Sequence, residues 1–147
     1  MADRLIRVGR VSKIDYENGM ISVTYPDLDD SVTSLLSVVS FNDEYKMPEI
    51  GDDVLTVHLP SGQARGLVLG KYWNRKNQPV SYGAGIYRKE YAATPGEAYM
   101  EYDHDTGELI IKAKSIKFVT DERNISVDNL VEPGGSVQIG DEEEVDP

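Results

Sequence analysis

The chain has 147 residues and a mass of 16.3 kDa, which fits one ordinary domain or two small ones. It has no cysteine, which excludes disulfides and a Cys-ligated metal site, and no apolar run approaches the roughly 20 residues that span a bilayer, so we expect a soluble protein made in a cytoplasm. The net charge of −11 is uneven: residues 1–95 carry 12 acidic and 11 basic side chains, whereas residues 96–147 carry 14 and 4, which predicts two units in different environments and argues against nucleic-acid binding.

The first half of the chain has apolar residues at alternate positions, interrupted by frequent turn residues, and this pattern is typical of β-strands. It predicts five strands, at residues 4–14, 20–25, 34–40, 54–59 and 64–72. Five antiparallel strands in so short a span fit a closed Greek-key barrel of the OB type, in which few strand edges stay unpaired. The helix usual in such barrels is predicted to be missing or tiny, because residues 41–53 contain Pro48 and Gly51.

Glycines mark the predicted turns and bends of this barrel. The alternation of the first strand shifts past Gly9, which predicts a bulge there. Gly51 and Gly62 are expected to permit turns that a Cβ would strain. Gly66 and Gly70 bracket the apolar centre of the fifth strand, where glycine often marks a bulge or a barrel corner. The residues predicted for the barrel are Leu67, Val68, Leu69 and Trp73, and the indole of Trp73 is expected to cover a barrel end or a seam between chains.

Residues 74–96 have a different composition, with two prolines, three glycines and several aromatic and basic side chains. This composition predicts a linker or an extended arm rather than a domain core. Its apolar side chains are too many for a free coil, so we expect them to pack against something, possible partners including a neighbouring chain. They are Tyr82, Ile86, Tyr87 and Tyr91.

Strands return after Gly96, at residues 98–102, 108–113, 115–120, 124–127 and 136–139. The alternation slips between Lys114 and Ser115, which predicts a bend or a bulge because a one-residue slip reverses the buried face. The predicted organisation is therefore a barrel at residues 1–73, a linker or arm at 74–96, a β-shaft at 97–140 and an acidic tail at 141–147.

The predicted shaft has too few apolar residues for an isolated domain of about forty residues, since units this small rarely fold alone without disulfide bonds or a structural metal ion. One solution is to pool the apolar faces of several identical chains around an axis. The alternative is that these strands pack back on the barrel as an ordinary β extension. Both readings stay open at this point.

The order of motifs in the first half resembles the phage baseplate assembly protein V family, the central spikes of contractile tails. The matching stretches are VGRVSKID at residues 8–15, VTYPDLDD at 23–30, SLLSVVS at 34–40, MPEIGDDVLTVHLPSG at 47–62 and RGLVLGKYWNRKNQPV at 65–80. The resemblance covers roughly residues 5–79, and the set as a whole is more specific than any single motif.

The resemblance implies a homotrimer in which three OB barrels form a collar and three C-terminal segments intertwine into a β-helix or β-prism needle. Such a needle sits on the tail baseplate of a virion or phage-tail-like bacteriocin, or on a type VI-like spike, and is assembled in the bacterial host cytoplasm. It plugs the tail tube and helps to breach the target cell envelope. Its partners would be baseplate hub and tail-tube proteins. The side chains expected to face the trimer axis are Ile111, Ile116, Phe118, Ile125, Val127, Val137 and Ile139.

One feature of some of these spikes is missing from the sequence, a His-x-His pair that holds an iron ion at the apex. The only histidines are His58 and His104, and neither belongs to such a pair. The chain ends GDEEEVDP, and carboxylate oxygens of this kind are ligands that calcium prefers. Their spacing, however, matches no known calcium-binding loop motif. We therefore predict no metal site and no cofactor, leave an axial ion open, and expect that a separate small tip protein can cap a blunt shaft.

Catalysis is not predicted, because the sequence has no cysteine nucleophile, no Gly-x-Ser-x-Gly elbow and no carboxylate pair that stands out from its scattered acids. The alternative to a spike is an OB-fold binding or adaptor module without a puncturing role. A nucleic-acid version of that module would need basic strands with exposed stacking aromatics, which the predicted barrel lacks. Oligomeric state discriminates a spike from a monomeric adaptor.

Overall fold

The computed structural model describes residues 5–60 and 65–127. These residues are all-β, as predicted, apart from two 3-10 turns at Pro26–Leu28 and Phe41–Asp43. The strands that they form are β1 (Ile6–Asp15), β2 (Met20–Tyr25), β3 (Ser31–Val32), β4 (Leu36–Val38), β5 (Asp53–His58), β6 (Gly66–Lys71), β7 (Ile86–Glu90), β8 (Tyr99–Asp103), β9 (Glu108–Lys112), β10 (Lys117–Val119) and β11 (Asn124–Ser126).

The chain divides into two compact units, Met1–Pro79 and Val80–Pro147, and the division falls inside the predicted linker. The first unit is a closed barrel of five strands, which confirms that prediction. β1 pairs antiparallel with β2 and β5, β5 with β6, and β2 with β4, while a short parallel contact between β4 and β6 closes the barrel. The two-residue strand β3, which the sequence pattern did not predict, extends the sheet beside β2.

The barrel has its own apolar core, to which each of its five strands contributes. Burying an aliphatic side chain stabilises a fold by roughly 1.5–3 kcal/mol, so each of these side chains contributes to holding the strands together. Thr56 is the one polar side chain that is wholly buried among the described residues, and Tyr25 satisfies it with a hydrogen bond of 2.7 Å between their hydroxyls. The core residues are Val11, Ile21, Val23, Tyr25, Leu36, Val54 and Val68.

The bulge predicted at Gly9 is wrong. The register between β1 and β2 shifts between Val11 and Lys13 instead, and the hydroxyl of the extra residue Ser12 donates to the carbonyl of Ser22. Gly9 itself pairs regularly with Val54 and is buried. The apparent shift in alternation arises because β1 has apolar residues on both faces.

The bulge predicted in the fifth strand is present. Leu55 lies opposite Gly70 and Thr56 lies opposite Val68, so Leu69 is the extra residue of β6. Gly70 has a φ of +119°, which favours glycine over any residue with a Cβ.

The second unit contains a three-stranded antiparallel sheet, β7–β8–β9, and a separate hairpin, β10–β11. Strand β7 lies inside the interval predicted as a linker or arm. The predicted bend at Lys114 and Ser115 coincides with the break between the two sheets, since β9 ends at Lys112 and β10 begins at Lys117. The predicted strand at 136–139 and the acidic tail at 141–147 lie outside the described residues.

Candidate oligomerisation interface

The second unit has no buried residue anywhere in its described part, residues 80–127. The barrel, by contrast, encloses a core of seven hydrophobic residues. A β-sheet normally buries one apolar face against another layer. The described part of the second unit therefore folds its strands without enclosing a core of its own.

The cross-strand register of the β7–β8–β9 sheet sorts its side chains onto two faces, because directly opposite residues point the same way. We call one the polar face; it carries Ile86, Arg88, Glu90, Tyr99, Glu101, Asp103, Glu108, Ile110 and Lys112. We call the other the apolar face; it carries Tyr87, Lys89, Met100, Tyr102, Leu109 and Ile111.

The polar face is built around the guanidinium of Arg88. Its Nε donates to Glu90 at 2.6 Å and its Nη1 donates to Glu101 at 2.9 Å. Its Cζ atom lies 3.6 Å from the ring centroid of Tyr99, so the guanidinium also makes a cation–π contact. Burial works against the charge of Arg88, but the bonds to Glu101 and Glu90 outweigh it and raise its pKa. A hydrogen bond from Ser81, followed by that from Arg88, lowers the pKa of Glu101.

The chain's own backbone adds further bonds to the polar face. The N–H of Gly96 donates to Glu90 at 2.9 Å, and Nζ of Lys112 donates to the carbonyl of Gly96 at 2.8 Å. Arg88, Glu90, Glu101 and Lys112 are thus held by partners within the same unit, and the side chain of Arg88 is only 13 % exposed.

The apolar face, in contrast, is open to solvent in the single chain. Tyr87 and Leu109 are each 59 % exposed, and Ile111 is 50 % exposed. Most side chains of the charged face are half-buried, whereas most of those on the apolar face are exposed, which is the reverse of what a sheet in an isolated soluble domain normally does.

The β10–β11 hairpin also gathers apolar side chains on one face. Phe118 lies opposite Ile125, and the N–H of Val127 donates to the carbonyl of Ile116 at 2.9 Å, which extends the ladder by one pair on the same face. All four side chains therefore share one face of the hairpin. Phe118 is 60 % exposed, and Ile116 and Val127 are half-buried.

The structure thus brings together five of the seven predicted shaft residues on two exposed apolar faces, with Ile111 on the sheet and the other four on the hairpin. Whether they face a trimer axis stays a prediction. The other two, Val137 and Ile139, lie outside the described residues. Tyr87, which was expected to pack against something, lies on the apolar face, but its place in a sheet was not predicted. Tyr102 was not predicted as a contact residue, although the alternation of residues 98–102 with 108–113 carried a signal for it.

The predicted barrel residues have different surroundings. Val68 is fully buried in the core, whereas Leu67 and Leu69 point out of the barrel and are exposed. Trp73 is 67 % exposed, so it does not cover a barrel end in the single chain; its place at an inter-chain seam stays a prediction.

Three of the four predicted turn glycines are described. Gly51 has a φ of +92°, in a turn where its N–H donates to the carbonyl of Val11. Gly70 forms the bulge. Gly66 is required for space rather than for φ, because a Cβ there would lie 3.0 Å from the carbonyl oxygen of Val57. Gly62 lies outside the described residues.

The two histidines lie in different surroundings. Nε2 of His58 is 2.5 Å from the hydroxyl of Tyr25, and burial, followed by the charge of Arg7, lowers the pKa of His58. His104 lies in a turn, where its N–H donates to the carbonyl of Gly85. The described residues bring together no group of three or more His, Asp or Glu side chains that could hold a metal ion. Nor does that part of the chain contain a helix long and apolar enough to cross a membrane.

Comparison with known proteins adds no family assignment: no family model matches the chain, and no curated protein is significantly similar to it.

Proposed function

We propose that this protein is the structural central spike of a contractile phage tail or phage-tail-like particle, a homotrimer that acts mechanically to breach the target cell envelope and plugs the tail tube. The observation that carries the proposal is the inverted sheet of the second unit. Most charged side chains of one face are bonded within the unit, whereas Tyr87, Leu109 and Ile111 of the other face are exposed, and this supports an apolar layer that other copies of the chain contribute.

A shared axis supplies that layer most simply. Around a threefold axis, each chain presents the same apolar face and receives the same kind of surface from two neighbours. A shaft built in this way pairs and covers its strands, so it dissociates only by unwinding, which favours slow unfolding. Stiffness and slow unfolding are what an object that transmits force requires.

The barrel supports the same proposal. Its strand order, β1-β2-β4-β6-β5 and back to β1, with one parallel contact between β4 and β6, supports the expected OB-type Greek-key barrel. The motif order at residues 8–80 that resembles central spikes falls on this barrel. We infer that three barrels form the collar, where baseplate hub and tail-tube proteins attach, and that a separate tip protein can cap the shaft.

The first test is the molar mass of the full chain, by size-exclusion chromatography with light scattering at low micromolar concentration. We expect a mass near three times 16.3 kDa that persists on dilution. A monomeric mass would contradict the proposed spike. It would favour an adaptor module, whose apolar faces bind a different protein.

A matched pair of variants locates the contact. Phe118 and Val119 are neighbours in β10, both are more than half exposed, and they point to opposite faces of the hairpin. Phe118→Asp should abolish the trimer, because three carboxylates cannot be buried together without partners, and should leave a monomer whose barrel still gives a β-sheet signal in circular dichroism. Val119→Asp should keep the trimer mass. Equal effects of the two substitutions would contradict the proposed axis face.

A further inference from the structure

The turn between β1 and β2 contains the only Asn-Gly pair in the sequence, Asn18 and Gly19. Asparagine is a chemically labile residue, and a following glycine protects it least, because no Cβ keeps the next backbone nitrogen away from the side-chain amide. Asn18 is exposed, and nothing lies within 4 Å of the position that a Cβ of Gly19 would take. The pair is therefore open to solvent and has room to react.

Asp15, at the end of β1, holds Asn18 at two points. The backbone N–H of Asn18 donates to Oδ1 of Asp15 at 3.2 Å, and Nδ2 of Asn18 donates to Oδ2 at 2.9 Å. The bond from the Asn18 side chain is the largest cause of a lowered pKa at Asp15, so the carboxylate is ionised at neutral pH and accepts both bonds. We call these two bonds the Asp15 clamp.

The reaction open to this pair is deamidation. The backbone nitrogen of Gly19 attacks Cγ of Asn18, a C–N bond forms, and the bond from Cγ to Nδ2 breaks. Ammonia leaves with the proton that the Gly19 nitrogen gives up, and a succinimide ring remains. Water then opens the ring at either carbonyl and produces aspartate or isoaspartate, so no oxidant or reductant is needed.

Both bonds of the Asp15 clamp oppose the first step of this reaction. Nδ2 of Asn18 has to leave its acceptor before the side chain can turn towards the nitrogen of Gly19. A nearby negative charge also disfavours the loss of a proton from that nitrogen. The fold therefore restrains a pair that the sequence alone marks as labile.

The same turn helps to close the barrel. The carbonyl of Gly19 accepts a hydrogen bond of 2.9 Å from the N–H of Val38 in β4, the strand whose parallel contact with β6 completes the barrel. Isoaspartate at position 18 would insert a methylene group into the main chain just before Gly19, and its carboxylate would repel that of Asp15. Both changes would disturb the bond to β4.

We propose that Asn18 is a site of spontaneous deamidation, that the Asp15 clamp delays the reaction in the folded chain, and that the isoaspartate product weakens the closure of the barrel. The co-reactant is water. The inference concerns the barrel of a single chain, so it does not rest on the proposed spike.

The full-length protein is incubated in mildly alkaline buffer, and asparagine, aspartate and isoaspartate at position 18 are quantified by peptide mapping with mass spectrometry. The native protein is compared with the same protein in guanidinium chloride and with two variants. Asp15→Ser removes the carboxylate, and Asp15→Asn keeps one acceptor oxygen without the charge. Glu17→Gln is the control, because Glu17 is an exposed acid of the same turn that is not part of the clamp. Circular dichroism checks that each variant is folded.

We expect the reaction to be fastest in guanidinium chloride and slowest in the native protein and in Glu17→Gln. Asp15→Ser should react roughly 3- to 10-fold faster than the native protein, the factor by which a hydrogen bond of ordinary net strength slows a step that must break it. Asp15→Asn should lie between the two. A native rate equal to that of Asp15→Ser, or to that of the unfolded chain, would overturn the clamp. Absence of isoaspartate at position 18 in the unfolded chain would overturn the site itself.

The effect on the barrel is measured on the product. Ion-exchange chromatography separates the deamidated protein, which carries one more negative charge, and its urea midpoint should be lower than that of the unreacted protein. Asn18→Asp adds the same charge without lengthening the main chain, so it should be destabilised less. A midpoint unchanged by isoaspartate would overturn the proposed effect on barrel closure.

Discussion

Gly9 has the least room for a side chain among the described glycines of the barrel. A methyl group there would overlap with Cγ1 of Val23 and lie 2.8 Å from two ring carbons of Tyr25, both of which are core residues. Gly9→Ala should therefore destabilise the barrel by about 1–3 kcal/mol, the usual cost of overpacking a core. Urea unfolding followed by circular dichroism measures this loss at fixed protein concentration.

Gly19→Ala is the comparison for Gly9. Gly19 has a φ of +62° and open space around its Cα, so an alanine there meets only the cost of the left-handed conformation, about 1 kcal/mol. If Gly19→Ala lowers the free energy of unfolding more than Gly9→Ala, backbone conformation rather than packing of β1 on β2 limits the stability of the barrel.

His58 ends a chain of hydrogen bonds inside the barrel. The hydroxyl of Thr56 donates to the carbonyl of Arg7 at 3.2 Å, and it lies 2.7 Å from the hydroxyl of Tyr25, which in turn lies 2.5 Å from Nε2 of His58. Each hydroxyl has one proton, so the three bonds are satisfied together only if Tyr25 donates to Thr56 and Nε2–H of His58 donates to Tyr25.

The neutral form of His58 should make stability depend on pH. Because burial and Arg7 lower its pKa in the folded chain below the ordinary 6.5, the unfolded chain binds the proton first as the pH falls. The stabilising contribution is complete above pH 6.5 and declines as the pH falls through 6.5 towards the folded pKa.

Urea unfolding at about pH 8 and about pH 5 tests this effect. The free energy of unfolding should fall less between these two pH values in His58→Gln than in the unsubstituted protein, because the glutamine amide can still donate to Tyr25 but does not titrate. The many carboxylates change stability with pH in both proteins, so the difference between the proteins is the quantity to read. An equal loss in both would mean that His58 takes up its proton in the fold as readily as in the unfolded chain.

At the scale of elements, the polar face of the β7–β8–β9 sheet depends on one guanidinium. Arg88 joins Glu90 on its own strand to Glu101 on the next, so its removal leaves two carboxylates facing each other. Arg88→Met should lower the thermal midpoint of unfolding. Arg88→Lys should lower it less but not restore the original value, because an ammonium cannot reproduce the two bonds of the planar guanidinium.

The double variant Arg88→Met with Glu101→Gln is the control for repulsion. It should be more stable than Arg88→Met alone, because one of the two opposed charges is gone. If the double variant is no better, the loss in Arg88→Met comes from packing against Tyr99 rather than from uncompensated carboxylates.

Strand β7 shows what the sequence pattern could not predict. Its residues, IYRKE, place two apolar side chains next to each other and then three charges, so no period of two is visible in their hydropathy. The strand is held by charge pairing across the sheet, and such pairing depends on which residues of β8 lie opposite. The hairpin was predictable for the opposite reason, because Ile116 and Phe118 alternate on one strand and Ile125 and Val127 on the other.

Strand β1 shows why the sequence pattern predicted a bulge at the wrong residue. Ile6 and Val8 point out while Gly9 and Val11 point in, so apolar residues on both faces imitate the parity shift of a bulge. Alternation alone cannot separate the two cases, since it records hydropathy and not the partner that covers each face. The five strands and their closure were predictable because turns and glycines limit the possible pairings.

At the scale of the whole molecule, charge opposes the assembly that the apolar faces favour. Residues 96–147 carry 14 acidic and 4 basic side chains, a net charge of −10 in each copy. A trimer gathers three such segments around one axis, and like charges at this density repel. The proposed shaft is therefore an assembly in which apolar burial exceeds a repulsion that salt can reduce.

Raising the salt concentration from about 0.1 M to about 1 M shortens the screening length from about 10 Å to about 3 Å, so the trimer should tolerate greater dilution in high salt. Light scattering across a dilution series measures this. Asp121→Asn with Glu122→Gln, in the exposed turn between β10 and β11, should strengthen the trimer in low salt and reduce the effect of salt. Glu17→Gln, in the β1–β2 turn of the barrel, should change neither, because this residue lies outside the proposed shaft. A trimer that weakens as salt rises would instead indicate that ion pairs between copies, and not their apolar faces, hold the chains together.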